Sequence, residues 1–439
     1  MKVEQNKRNI FSVNEIRNSW LEIFKEKNYK KLETNSLIPE DDQSLLWINS
    51  GIAALKKLFS QSSINLGKNL VNCQKVIRTD DLSNINENSY HQTLFEMLGC
   101  FSIGGNFKKD VIPIIWEWFT SPNWLNLNPK NLFITVWEKD EESLNIWKEQ
   151  DNIEEKNILF GDKETNFWDM GDGPCGPNTE IYYDFLPQSE KPTRIGQLNE
   201  KRYIEICNIV FPELYHKGKE FLNLENKCVD TGAGLERIAM VIQGKKNTFE
   251  IDNWKSITNL INEFSKGKEF EKDKGKYYVI ANHLRTVIFA LGDGADFEPK
   301  GRGYILKKLI KKSFLLSHSL GIKIEQIIDI SKQIIKINSH FYKELERNEK
   351  IIIEKISKEL ERNEKNIQIS LKELNGYKEE ISGEKIFFWY DTKGIPLEII
   401  SFFLESKGLK FPKDEFNSYM DEQKKKSLID RKKRNVNVF

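Results

Sequence analysis

Two hydrophobic patterns divide the chain. Up to roughly residue 250, apolar runs of strand length alternate with polar punctuation; beyond Asp252 apolar residues recur at three- and four-residue spacing. The run Leu132-Phe133-Ile134-Thr135-Val136-Trp137 is β-branched and aromatic, which predicts a strand. Residues 202–211 predict another, with Tyr203, Glu205, Cys207 and Ile209 on one face by the two-residue period. The Gly/Pro/Asn-rich stretch 171–178 predicts a loop between strands, and 187–198 a polar surface loop. In the second half Trp254, Ile257, Leu260, Ile261 and Phe264 mark one buried helix face, and residues 322–372 predict nearly unbroken helix. That stretch holds the octet KELERNEK twice, at 343–350 and 358–365, and its Glu/Lys spacing predicts a solvated helix face.

Length and charge narrow the picture. At 439 residues the chain suits roughly two or three domains. With 67 Lys+Arg against 66 Asp+Glu, a formal charge of +1 rules out a uniformly basic coat for nucleic acid, so any such contact must come from local patches. One patch is residues 302–312, where Arg302, Lys307, Lys308, Lys311 and Lys312 alternate with Ile305, Leu306, Leu309 and Ile310. Another is the basic end holding Lys424-Lys425-Lys426 and Arg431-Lys432-Lys433-Arg434. No window reaches the ~18 apolar residues of a membrane span, and no apolar core follows the first charges, so a soluble chain without a secretory signal is expected. The five cysteines form neither CxxC nor CxxxH. That disfavours a disulfide framework and a zinc site and fits a reducing compartment, the cytoplasm or an organellar matrix.

Three segments call for chemistry. The first reads strand, polar loop, strand, and holds Arg78 and Asp81 before the loop's end and His91, Phe95, Glu96 and Met97 after it. An antiparallel pair of this kind can aim a planar guanidinium at a phosphate or carboxylate and an aromatic ring at a base. The second joins Asn166-Phe167-Trp168 to the glycine-rich stretch 171–178; Trp168 taken alone is by default a core residue, and Cys175 a packed thiol. The third is residues 229–240, where a strand ends in Asp230, a glycine turn follows through Gly232 and Gly234, and a helix begins near Leu235 with Arg237 one turn in. Arg237 stands where a third glycine would complete a dinucleotide fingerprint, and no GxxxxGK[ST] loop occurs, so neither of those nucleotide sites is encoded.

In order and spacing over essentially the whole chain, these segments resemble motifs 2 and 3 and the glycine loop of the class II aminoacyl-tRNA synthetases, and more narrowly their alanine-specific branch. Further similarities are SLIP at 36–39, DQSLLWINSGI at 42–52, FEMLG at 95–99, NFW at 166–168, GPCGP at 173–177, EICNIVF at 205–211, GRGYIL at 301–306 and WYDTKGIP at 389–396. The resemblance implies an α+β fold: an antiparallel sheet flanked by helices over residues 1–252, carrying aminoacylation, then an all-helical region over 253–439 for the tRNA acceptor stem. It implies ATP and Mg2+, with alanine activated to alanyl-adenylate and passed to the 3′ end of tRNA(Ala). By that correspondence Arg78 bridges the alanine carboxylate and the α-phosphate, and Arg237 holds the γ-phosphate. Phe95, Met97 and Gly234 shape the ATP pocket, with His91, Glu96 and Asp81 as its polar border. Asp230 pairs with the alanine ammonium, Trp168 and Val210 wall its side chain, Gly232 leaves methyl-sized space, and Glu205 and Asn208 steer magnesium. Arg302, Lys307, Lys308, Lys311 and Lys312 face RNA phosphates, and Asp391 reads a G·U third pair.

Departures from the family pattern are specific. The position expected to assist Asp391 falls in Phe297-Glu298-Pro299, and proline has no side-chain hydrogen bond to offer. Asn178 replaces the second loop cysteine, Cys207 a tryptophan, and Tyr90-His91 a double histidine. With histidines only at 91, 216, 283, 318 and 340, the HxxxH and CxxxH ligands of an editing domain cannot be built. No zinc, no hydrolytic proofreading in cis and a monomer are therefore expected, with glycine or serine misactivated. Two other readings are alanine activation for a carrier protein and an inactive paralogue that binds RNA. The basic helical region speaks against the first, and joint presence of Arg78, Asp230 and Arg237 against the second.

Overall fold

A computed structural model of the chain describes residues 11–40, 45–55, 68–79, 90–187, 189–199, 201–267, 270, 274–376 and 381–422. Helix α1 (Val13–Glu26) opens at Ser12, whose hydroxyl accepts from Glu15 N while the Glu15 carboxylate accepts from Ser12 N. It buries Val13, Ile16, Trp20, Ile23 and Phe24 against the sheet, each such side chain contributing on the order of 1.5–3 kcal/mol. The strands and helices that follow are β1 (Lys30–Lys31), β2 (Asn69–Ile77), β3 (Leu94–Ile103), α2 (Lys108–Thr120), β4 (Leu132–Trp137), α3 (Glu141–Lys148), β5 (Ile158–Gly161), α4 (Lys163–Asn166), β6 (Phe167–Trp168), β7 (Gly173–Asp184), β8 (Tyr203–Val210), β9 (Leu214–Lys217), β10 (Glu220–Asn223), β11 (Cys228–Gly234) and α5 (Leu235–Ile242).

The main sheet runs β1-β2-β3-β11-β8-β7-β4-β5. Its interior pairs are antiparallel, but β1 on β2 and β4 on β5 are parallel, so the sheet is mixed rather than wholly antiparallel. The short edge strands follow crossovers through the chain's helices and loops, which returns them in the same direction. Two local expectations fail. Residues 173–178 are strand, not loop, because β7 continues through them to pair with β6 and β9. Gly176 is required there: a Cβ would lie 2.0 Å from Phe211 O. Likewise no glycine turn follows Asp230; β11 runs through Gly232 and Gly234 straight into α5.

From Asp252 onward the elements formed by the described residues are helices: α6 (Asp252–Phe264), α7 (Lys274–Gly292), α8 (Gly301–Ser319), α9 (Ile324–Asn338), α10 (Lys343–Arg347), α11 (Glu349–Asn375), α12 (Gly383–Asp391) and α13 (Leu397–Ser406). Every residue of α7 from Tyr277 to Gly292 is buried, as a helix enclosed on all sides must be. The predicted continuous helix over 322–372 is broken at residues 339–342, where Tyr342 turns into the core. The first KELERNEK straddles a second break: α10 stops at Asn348, whose Nδ2 donates to Gly292 O at 2.8 Å, and Glu344 pairs with buried Lys75. The second copy lies inside α11. One cluster of buried side chains runs from Val13 to Phe416 across both regions. Among the described residues no helix is long and apolar enough to cross a membrane.

Candidate active site

Strand parity delivers the site. In β3, Phe95 and Met97 face away from the helical layer, while Leu94 and Leu98 join the core beneath it. β11 turns Asp230, Gly232 and Gly234 to the same open side, and β8 turns Glu205, Asn208 and Val210. Plain alternation cannot put Glu205 and Asn208 on one face. A β-bulge does: Tyr182 pairs with Glu205 and Ile181 with Cys207, leaving Ile206 unmatched. The expected grouping of Tyr203, Glu205, Cys207 and Ile209 is thereby overturned, since Cys207 and Ile209 are buried in the core while Glu205 meets the cavity.

That cavity holds about 770 Å³, and its lining includes Trp47, Arg78, Phe95, Met97, Trp168, Met170, Glu180, Glu205, Asn208, Val210, Asp230, Gly232, Gly234 and Arg237. A side pocket of about 80 Å³ adds Tyr90 and His91 beside Arg78, Phe95 and Arg237. A larger cleft of about 1040 Å³ lies against α2 and residues 150–154 and contains none of the residues singled out from the sequence.

The charges in the cavity are only partly paired among the described residues. The Arg78 guanidinium lies 5.3 Å from the centre of the Phe95 ring, and its Nε donates to Asn49 O at 3.2 Å. Arg237 Nη1 donates to Glu205 O at 3.0 Å and meets Glu205 Oε2 at 3.3 Å, with its guanidinium 5.0 Å over Tyr90. Asp230 makes no side-chain hydrogen bond or ion pair with the described residues, and burial pushes its carboxyl up to about 7. Glu180 accepts from Tyr182 Oη at 2.9 Å, Asn208 Nδ2 at 3.0 Å and Thr135 Oγ1 at 3.3 Å. Burial and then the neighbouring Glu205 still push it up to about 7. Gly232 sets the floor: a Cβ there would meet Met97 Sδ at 3.1 Å.

The cavity thus gathers Arg78, Phe95, Met97, Trp168, Glu205, Asn208, Val210, Asp230, Gly232, Gly234 and Arg237, with His91 in the side pocket. Trp168 is 37% exposed at the rim, so it is not a core tryptophan. Asp81 lies outside the described residues. Glu96 does not border the pocket. One residue out of phase with Phe95 and Met97, it is fully buried on the other face, where Arg17, Arg285 and Tyr342 hold it. On α8, Leu306, Leu309 and Ile310 are buried and Lys308 and Lys312 exposed; Arg302 lies 5.9 Å over the ring of Trp47, a buried residue of the cavity lining. Asp391 is exposed at the end of α12. Sequence reasoning missed Glu180, Trp47 and Met170 as cavity residues. For Glu180 the signal was available, since Asn178, Glu180 and Tyr182 alternate along β7.

The family described as tRNA synthetases class II (A) matches residues 15–438. Curated relatives include the alanine–tRNA ligases of Lactobacillus delbrueckii subsp. bulgaricus, 38% identical over 434 residues, 94% of this chain and 49% of that protein. That of Malacoplasma penetrans is 38% identical over 450 residues, 95% of this chain and 48% of that protein. The chain spans about half the length of the curated relatives it matches. Among solved structures, histidyl-tRNA synthetase from S. aureus aligns over 56% of this chain and 75% of that one at a TM-score of 0.32 and 12% identity, too slight a likeness to bear argument. A family match that runs nearly end to end, over a sheet whose open face carries a two-arginine, three-carboxylate cavity, makes the chain a member of the class II tRNA synthetases.

Proposed function

We propose that the chain is an alanine–tRNA ligase: it activates alanine with ATP and passes the alanyl group to the 3′ end of tRNA(Ala). The observation that carries this reading is the charge pattern of one cavity, two guanidiniums beside a carboxylate that has no cation among the described residues. Alanine brings the missing ammonium to Asp230, a charge-assisted contact in a partly dry site. Its methyl group meets the Gly232–Met97 floor between Trp168 and Val210. The alanine carboxylate oxygen attacks the α-phosphorus of ATP, a P–O bond forms, and the bond to the bridging oxygen breaks as pyrophosphate leaves. Arg78 quenches charge at the carboxylate and α-phosphate and Arg237 at the terminal phosphate, so catalysis is chiefly positioning and charge neutralisation. Phe95 offers a ring for the adenine, bordered by His91.

The donors on the cavity wall suit magnesium. Glu180 and Glu205 face one space, and a carboxyl pushed up by burial and then by its neighbour favours added positive charge. Glu205 and Glu180 would hold the ion, with Asn208 fixing Glu180 through its amide. Bound there, the ion would neutralise phosphate charge.

For RNA, the exposed lysines of α8 supply phosphate contacts that position without reading sequence. Arg302 over Trp47 marks a route from α8 to the cavity for the 3′ end, and exposed Asp391 can accept from a guanine amino group in a shallow minor groove. Five buried free thiols favour the cytoplasm, and we take the chain to act as a monomer without zinc. Alanine-dependent ATP–pyrophosphate exchange tests the first step, and its absence would leave an RNA-binding module. Charging of acceptor-stem minihelices with the third pair varied tests the second, including whether Asp391 reads that pair without help from Pro299.

A further inference from the structure

The hairpin of β9 and β10 is a poor structural investment. All four residues of β10 are exposed, with Phe221 and Leu222 at 40% and 48%. It adds nothing to the buried core, yet it is tied to the strip of chain that rims the cavity. Trp168 and Met170 line the cavity, and the residue between them, Asp169, turns to the hairpin: His216 Nδ1 lies 2.8 Å from Asp169 Oδ1. The other ring nitrogen, Nε2, lies 3.0 Å from Gly218 O, and the ring stacks on Phe221 with centroids 4.5 Å apart and planes at 16°. A second tie repeats the logic, Gly218 N donating to Asp172 Oδ1 at 2.8 Å.

We infer that His216 is a positioning residue for the alanine pocket: by clamping Asp169 it fixes Trp168 and Met170 at the cavity rim. This rests on the alanine-activating reading above. Both partners of the ring are acceptors, a carbonyl and a carboxylate, so the clamp is complete only when both ring nitrogens carry protons. The groups around the ring agree. The contact with Asp169, and then Gly218 O and Asp172, raise the imidazole above its ordinary value of 6.5, and Asp169 is lowered in turn by His216. Lys163 on α4 sits 4.6 Å over the Phe221 ring on which the imidazole stacks. Cys175 on β7 is held as a neutral thiol by burial, and Lys217, Lys219 and Glu220 of the hairpin are exposed. A histidine raised by its partners keeps the clamp below the ordinary imidazole value and loses it as pH rises through the folded one.

Alanine-dependent exchange, with alanine and ATP varied separately between pH 6.5 and 8.5, tests the clamp. The wild type is expected to show an alanine KM that climbs on the alkaline side while the ATP KM stays level. His216→Leu should carry an alanine KM raised roughly five- to tenfold at neutral pH, with no alkaline climb and an unchanged ATP KM. His216→Arg keeps a charged double donor at every pH used and should restore the low alanine KM while abolishing the climb. An alanine KM in His216→Leu equal to that of an active wild type overturns the clamp alone. So does a parallel rise of both KM values with a lowered melting temperature, which would mark the hairpin as a fold element only. No exchange in the wild type overturns the functional reading, and the clamp's role with it.

Discussion

The two faces of the central sheet carry the same chemistry to opposite ends. On the helix-covered face, Glu96 accepts from Arg17 Nε at 2.7 Å, Arg285 Nη2 at 3.0 Å and Tyr342 Oη at 2.9 Å. Burial opposes its charge, but the guanidiniums of Arg17 and Arg285 hold its carboxyl below the usual range. Glu236 shares Arg285 at 3.1 Å and accepts from Glu96 N at 3.0 Å, although burial still pushes it up to about 7, so the faces differ in cation pairing rather than in pKa. On the open face, Glu205 meets Arg237 at 3.3 Å, but Asp230 has no cation among the described residues, and burial pushes it and Glu180 up to about 7. Neighbouring residues feed both sides, Glu96 down between Phe95 and Met97, Glu236 down before Arg237 up. A network completed by the protein itself fixes strand β3 to α5 and α7. On the proposed reading, alanine supplies the cation that the open network lacks among the described residues.

The sharpest way to break this contrast is to remove one guanidinium from each face. Arg285→Met strands Glu236 in the core and leaves Glu96 with Arg17 alone among its guanidiniums, so we expect a loss of about 3–5 kcal/mol in urea unfolding. Arg237→Met should leave the unfolding midpoint near wild type while lowering pyrophosphate exchange about a thousandfold. If both variants lost stability equally, the open face would be structural too.

Asp230→Asn should separate the faces a second time. Exchange is expected to fall about 10²–10³-fold, because the amide cannot hold an ammonium by charge. Its effect on stability has the opposite sign to that of Arg285→Met. A carboxyl raised to about 7 from 3.8 binds protons in the folded state that the unfolded chain has released, so it destabilises the fold as pH rises through that window. The asparagine variant should therefore be more stable than wild type at pH 8, on the order of 1 kcal/mol, by thermal melting.

The sequence disclosed the parts of this arrangement that depend on residue type and local period. The strand of β4, the amphipathic face of α6, and Arg78, Asp230 and Arg237 as a charged set are visible without coordinates because each is a local pattern. What was hidden depends on partners. Glu96 stands inside a run quoted for its pocket, and only parity relative to Phe95 separates it. The bulge at Ile206 is invisible in residues 203–210 taken alone, since it exists only as a mismatch with β7. The twin octets make the same point without any change of letters. Leu345 and Leu360 are both fully buried, yet one copy ends a helix at Asn348 and sends Glu344 to Lys75, and the other continues through Asn363 as α11.

Selectivity should follow from the floor of the open face. In Gly232→Ala the added methyl would crowd Met97 Sδ and occupy the space meant for the alanine side chain. We expect kcat/KM for alanine to fall about a hundredfold while glycine, which lacks the methyl, falls far less. Wild type should itself activate glycine at roughly 10- to 200-fold lower kcat/KM than alanine, the reach of one methyl group. A variant that loses both amino acids in proportion would show that Gly232 does not set the size of the pocket.

The smallest effect is also the most direct reading of the unpaired face. If alanine binds only the ionised form of Asp230, its KM gains an acid limb that climbs as pH falls through about 7, where the carboxyl takes a proton, separate from the alkaline limb assigned to His216. The climb should reach about tenfold at pH 6, following the single-proton term. The ATP KM should not share it, because Arg78 and Arg237 remain charged throughout. Glu96 predicts no such limb, since its guanidiniums hold it low and it meets no ligand. A climb confined to the ATP KM would move the titration to Glu180 and its neighbour Glu205, and Asp230 would then no longer be the group that makes this face different from the other.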